Sequence, residues 1–217
     1  MVWYRGPPVS RAVAIAPTSP APAHPFEALF NSPEFRARRA ERERQDAATR
    51  ADALAEHGTA EAVFADTPME AALRTACEPL LGSGETWEGL HKLAGWDWLD
   101  GLRSMPEVLR ETIETAWPLP ATVTEAWAEH HERGRLDGQR HAFDPDWSAS
   151  TPAAARRDVI EGLLDTLPSR SLADMRARLS WLDVLNDLEA RGEDRQRVRL
   201  ATLRADIERM AMRLRAR

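Results

Sequence analysis

Cysteine, lysine and tyrosine are nearly missing from this 217-residue chain, which has one of each: Cys77, Lys92 and Tyr4. A lone cysteine excludes an internal disulfide, and a chain of this length can bury a core without one. That usage predicts an intracellular, cytoplasmic protein. No run approaches the roughly 20 apolar residues a membrane-spanning helix needs. The first residues also lack the basic-then-apolar order of a secretion signal, so no membrane partner is expected. No segment alternates apolar and polar residues over the length of a half-buried strand, which argues against a substantial sheet.

What is abundant is arginine, alanine and acid. Of the 29 basic residues all but Lys92 are arginine, a usage that points to a GC-rich bacterial genome rather than to a need for guanidinium geometry. The net charge of −6 is unevenly spread: residues 58–150 hold 7 basic against 17 acidic residues, and 191–217 hold 9 against 4. An acidic middle and a basic tail can attract each other within the fold or face different partners.

Residues 1–32 are proline-rich and are expected to be disordered or extended, with Trp3 and Tyr4 as candidate anchors within the first 25. Residues 33–57 read as a charged helix, with Ser32 as N-cap, Pro33 in the first turn and Gly58 after the end. Its apolar residues are too sparse for firm docking. Residues 58–133 form an acidic, tryptophan-rich helical region. There Thr67/Glu70, Ser104/Glu107 and Thr122/Glu125 each match the capping box, in which hydroxyl and carboxylate satisfy amides of the first turn. Apolar spacing then predicts helices at 68–81, 86–94, 97–103, 106–117 and 121–133. A loop is expected over 134–150, where Gly, Asp, Pro and Ser cluster.

Residues 151–217 read as a three-helix region. Thr151 is expected to cap a helix running to Leu167, and Ser171 with Asp174 opens a second that carries Leu172, Leu179, Leu182 and Leu185. A break at Gly192 leads to a third helix with Leu200, Leu203, Ile207, Met210 and Leu214 in a three-four heptad spacing. The fold expected is all-α: an irregular multi-helix body with a C-terminal antiparallel helical hairpin, its apolar stripes paired, packed on a third helix. Two heptads are too few to specify a dimer.

Few residues suggest chemistry. Glu129, His130, His131 and Glu132, followed by Asp137 and His141, are the right residue types for zinc, but adjacent histidines point about 100° apart on a helix. The pattern of two histidines four apart with a glutamate between them is absent. Gly82-Ser83-Gly84 lacks the lysine and hydroxyl of a phosphate loop and reads as a linker. Cys77 sits among apolar residues, as a small core residue does. No catalytic residue or cofactor is expected. Trp87, Trp117 and Trp127 fall on apolar stripes, whereas Trp96 and Trp98 flank a turn and are candidates for an interaction surface. Arg195 and Arg199 are candidates on the basic tail. The arginines at 36–44 are balanced by neighbouring acids and read as a solvated face.

The segments LPSRSLADMRARLSWL (167–182) and LRADIERMA (203–211) resemble the C-terminal part of small alphaproteobacterial proteins, some encoded near prophage or mobile elements. The resemblance covers about 50 residues, and it implies no activity and no catalytic residue. Three functions follow as expectations. The leading one is a non-enzymatic protein-interaction or regulatory factor. The second is a nucleic-acid-associated factor using the basic C-terminus. The third is a metal-dependent hydrolase at His130, His131 and His141.

Overall fold

A computed structural model describes residues 32–87, 90, 92–97, 105–187 and 193–215, with the side chains of 186–187, 193–197 and 214–215 excepted. The expectations for 1–31, for Trp98, for Ser104 and for most of the 97–103 helix lie outside these residues. Among the described residues the protein is all-α: eight helices and one two-stranded hairpin. The chain divides into two units, one ending at Gln45 and the other starting at Asp46.

Helix α1, Pro33–His57, begins in the first unit. Ser32 Oγ accepts a hydrogen bond from Phe35 N, as expected of an N-cap. The arginines pair along the helix, Arg39 with Glu43 and Arg44 with Glu41, on a fully solvated face. Such exposed pairs contribute a few tenths of a kcal/mol each.

In the second unit α1 continues from Asp46, and this part is docked by small and polar groups. Ala53 is buried, Arg50 donates to Ala142 O at 2.5 Å, and Glu56 accepts from both Arg135 and Gln139. The short helix α2, Ala60–Phe64, is capped by Thr59. Helix α3, Pro68–Cys77, runs into a 3-10 turn at Glu78–Leu80 and closes its capping box between Thr67 and Glu70. Helix α4 is Glu107–Ala116. Helix α5, Val123–Phe143, closes the Thr122/Glu125 box.

Two expectations for the middle region fail here. The described residues of 86–94 are not helical: Lys92–Leu93 (β1) pairs antiparallel with Trp96–Asp97 (β2) across Ala94-Gly95. Both turn residues have positive φ, 49° and 79°, as a two-residue hairpin turn that matches strand twist requires. Leu93 and Trp96 lie directly opposite each other and are both buried. The residues expected on one helical face, Trp87, Leu90 and Leu93, still face the core, but two-residue strands are too short to show in periodicity. The second failure is the loop over 134–150, since α5 continues to Phe143. Gly134 and Gly138 each weaken a helix by about 1 kcal/mol. Anchoring outweighs that cost: Arg133 donates to Ala153 O, and Arg140 reaches Val63 O, Ala65 O and Glu70.

Helix α6, Thr151–Thr166, is the axis of the second unit. It touches α3, α4 and β1 on one side, α5 and α7 on the other, and α8 as well. Its Ala155 and Val159 belong to a core with Leu73, Cys77, Leu93, Trp96, Leu109 and Ile113. Its Ile160 and Leu164 belong to another with Val123, Ala126, Ala177 and Trp181. Thr151 is the first helical residue rather than its cap, and its hydroxyl donates to Leu90 O. Helix α7, Leu172–Asp187, starts as expected: Ser171 Oγ accepts from Asp174 N, and Asp174 accepts from Arg170 N and Ser171 N. Asp174 also accepts from the backbone and hydroxyl of Thr124, tying the start of α7 to the start of α5. Helix α8, Glu193–Arg215, ends the described chain.

Candidate functional site

The feature that departs furthest from an ordinary helical core is the seating of α8. Arg199, Asp206 and Arg213 recur every seven residues and so share one face. Arg199 and Asp206 on that face are buried, and Arg213 is exposed. Arg199 Nε and Nη2 bond the two Asp165 oxygens at 2.6 and 3.1 Å, and the same carboxylate accepts from Trp181 Nε1 at 2.8 Å. Seven residues on, Asp206 accepts from Ser169 N and from Arg209, with Arg178 Nε 3.2 Å from its other oxygen. Another seven residues on, Arg213 donates to Arg170 O. As numbers rise along α8 its bonded partners rise too, from Asp165 at the end of α6 to Ser169 and Arg170 in the turn that follows, so α8 runs in the same direction as α6. Helix α8 is seated chiefly on α6, with Arg178 of α7 at Asp206, and charged groups rather than paired apolar stripes hold it.

Arg178 and Asp206 are both fully buried. Burial pulls the Arg178 guanidinium below its usual range, opposed by the charges of Asp206 and Asp165. Arg178 also donates to the carbonyls of Leu164, Asp165 and Leu167, so most of its donors are satisfied. Burial would raise the Asp174 carboxyl, yet hydrogen bonds from Arg170, Thr124 and Ser171 hold it below the usual carboxylate range.

With Arg199 and Asp206 inside, the apolar seam points out, contrary to the expected pairing of apolar stripes. Leu200 is 64% exposed, Ile207 54% and Met212 64%, while Leu203 and Met210 are half-buried at the seam's edge. Val198 on α8 and Leu172 and Leu179 on α7 are exposed too. Several large apolar side chains of α7 and α8 are thus exposed among the described residues.

The residues singled out from sequence are placed elsewhere. Trp96, expected at a surface, is 5% exposed and packs in the core with Leu93. Arg199, expected to meet a partner, is buried on Asp165. The side chains of Trp98 and Arg195 are outside the described residues. His130 stacks on Trp127 and meets the edge of Trp181. His131 packs against Trp127, whereas His141 meets the edge of Trp147. Eleven residues of helix, about 16 Å, separate His130 from His141. The carboxylates between them are engaged by arginines: Glu129 with Arg156, Glu132 with Arg135 and Asp137 with Arg157. Among the described residues no group of three or more His, Cys, Asp or Glu could hold a metal ion. The Gly82 amide is taken by the Glu85 carboxylate at 2.7 Å, and residues 85–87 after that turn are not helical. Cys77 is buried, and burial pushes its thiol up to about 11. Among the described residues no helix is long and apolar enough to cross a membrane.

No protein-family model matches the chain, and no curated protein or solved structure matches it either.

Proposed function

We propose that this protein is a non-enzymatic interaction factor that docks an acidic amphipathic helix of a partner protein on the outer face of α8. The supporting observation is the exposed seam of Leu200 and Ile207, one heptad apart, bordered by Leu203 and Met210. A helix laid along it would bury large apolar side chains that the chain itself leaves in water, the geometry of helix-in-groove recognition. The charge beside the seam selects the partner. With Leu200 and Ile207 at a, the e position between them is Arg204, which is exposed. In an antiparallel self-pair this e-position arginine would meet the same charge on the second copy, which disfavours a homodimer and favours acidic flanks on the partner. The basic tail is a weaker basis for nucleic-acid binding, because Arg199 and Arg209 are engaged by Asp165 and Asp206.

The test is site-specific photocrosslinking in the native host. A photoreactive residue at 207 should yield a discrete adduct that one at exposed Glu111 does not. Leu200→Glu with Ile207→Glu, probed from position 204, should abolish it. An adduct that survives the double change, or no adduct from 207 in a folded chain, would sink the proposal.

A further inference from the structure

Helix α7 carries charges that its own chain does not pair. Leu172, Arg176, Leu179 and Asp183 follow a four-three-four spacing and so share one face of the helix. Leu172 stands nine residues before the buried Trp181, about half a turn round the axis, so this face is turned away from the core. All four side chains are exposed, Leu172 at 65% and Leu179 at 49%, and Met175 and Leu182 lie half-buried along one edge. Among the described residues neither Arg176 nor Asp183 has an ion-pair or hydrogen-bond partner. On α1 and α5 exposed charges three or four residues apart pair with each other, as Arg39 does with Glu43 and Arg135 with Glu132. Arg176 and Asp183 are seven apart, about 10.5 Å along the axis, and so are out of each other's reach.

The pattern is its own complement. When a second α7 is laid antiparallel across this face, with a two-fold axis between residues 179 and 180, Arg176 of each copy comes level with Asp183 of the other. In the same pairing Leu179 meets its own copy at the axis. Met175 comes within about 3 Å, measured along the helix, of the level of Leu182 in the second copy. A parallel pair would instead set Arg176 on Arg176 and Asp183 on Asp183, and like charges side by side are destabilising.

We infer that this face docks a second copy of the chain, forming a symmetric antiparallel α7–α7 dimer with reciprocal Arg176–Asp183 pairs around the Leu179 contact. One 16-residue helix on each side falls below the roughly 800 Å² per partner of a standard interface, so the dimer is weak, with an expected Kd of about 10–100 µM. This surface is separate from the α8 seam and independent of it.

Sedimentation equilibrium of the full chain from about 1 µM to about 1 mM should show monomers passing into dimers. Asp183→Arg alone or Arg176→Asp alone should weaken the dimer about tenfold. The two changes in one chain should restore most of the loss, because opposite charges then face each other again. These side chains are exposed, so the variants should stay folded. Single cysteines read the orientation, since the native Cys77 is buried. Leu179→Cys should cross-link to its own copy on mild oxidation, whereas Leu172→Cys, about 22 Å from its copy along the pair, should not. Four results would overturn the inference: a monomer throughout that range, a dimer indifferent to both single reversals, a double reversal no tighter than the single ones, or cross-linking as efficient from position 172 as from 179. A dimer abolished by Leu200→Glu with Ile207→Glu would put the contact on α8 and overturn it as well.

Discussion

Arg199 and Asp165 face each other inside the C-terminal region through two charge-assisted hydrogen bonds, 34 residues apart in sequence. This pair decides which side of α8 is inside. Removing one partner strands a buried charge, and breaking such a pair costs about 3–5 kcal/mol. Asp165→Ala should therefore lower the urea midpoint strongly, the more so because Trp181 loses its acceptor as well. Replacing both residues by leucine should cost far less than the sum of the single changes. A double-mutant cycle in urea measures the coupling, and strict additivity would contradict the account.

Glu70 links two elements by capping α3 and pairing with Arg140 of α5. Burial alone would raise its pKa, but hydrogen bonds from Arg140 and Thr67 prevail and hold it at about 2. A depressed folded-state pKa stabilises the fold above the unfolded value, near 4.3, and that contribution is lost as pH falls through the folded value. The window is thus from about pH 5 down to about pH 2, and the contribution at neutral pH is of order 3 kcal/mol. Glu70→Gln keeps the cap geometry. It should lower Tm at pH 7 and flatten the fall of Tm with acid. An unchanged acid profile would show that Glu70 does not carry this linkage.

The outward seam gives a contrast between stability and binding. Leu200→Ala and Ile207→Ala should each leave unfolding free energy within about 0.5 kcal/mol of the parent chain. Leu164→Ala, in the core, should cost about 2–5 kcal/mol. If the seam variants lost as much as the core variant, α8 would be turned the other way, with its apolar side inside.

Ala94 has φ 49°, a conformation that costs an L-residue with a Cβ roughly 1–2 kcal/mol. Ala94→Gly relieves it at the price of extra freedom in the unfolded chain. A net gain of up to about 1 kcal/mol should appear as a raised Tm. Trp96→Ala, opposite Leu93 in the same hairpin, should lose about 3–5 kcal/mol. A neutral Trp96→Ala would mean that the hairpin does not bury this indole.

Local chemistry was legible in the sequence. The Thr67/Glu70 and Thr122/Glu125 boxes and the Ser171/Asp174 start involve groups three residues apart, so the helices open where those residues stand. The all-α class and the span of the last two helices follow from the same short-range signals. Tertiary partners decided the rest. The heptad of leucines and the heptad of Arg199, Asp206 and Arg213 run along one helix at the same period. Periodicity cannot say which faces in, because the choice rests on Asp165, Ser169 and Arg178, far away in sequence. The same reason explains α5: its glycines favour a loop locally, and Arg140 on Glu70 keeps the chain helical past them. It also explains Arg133, which nothing in its sequence neighbourhood singles out and which the fold buries between Ala153 and Glu70.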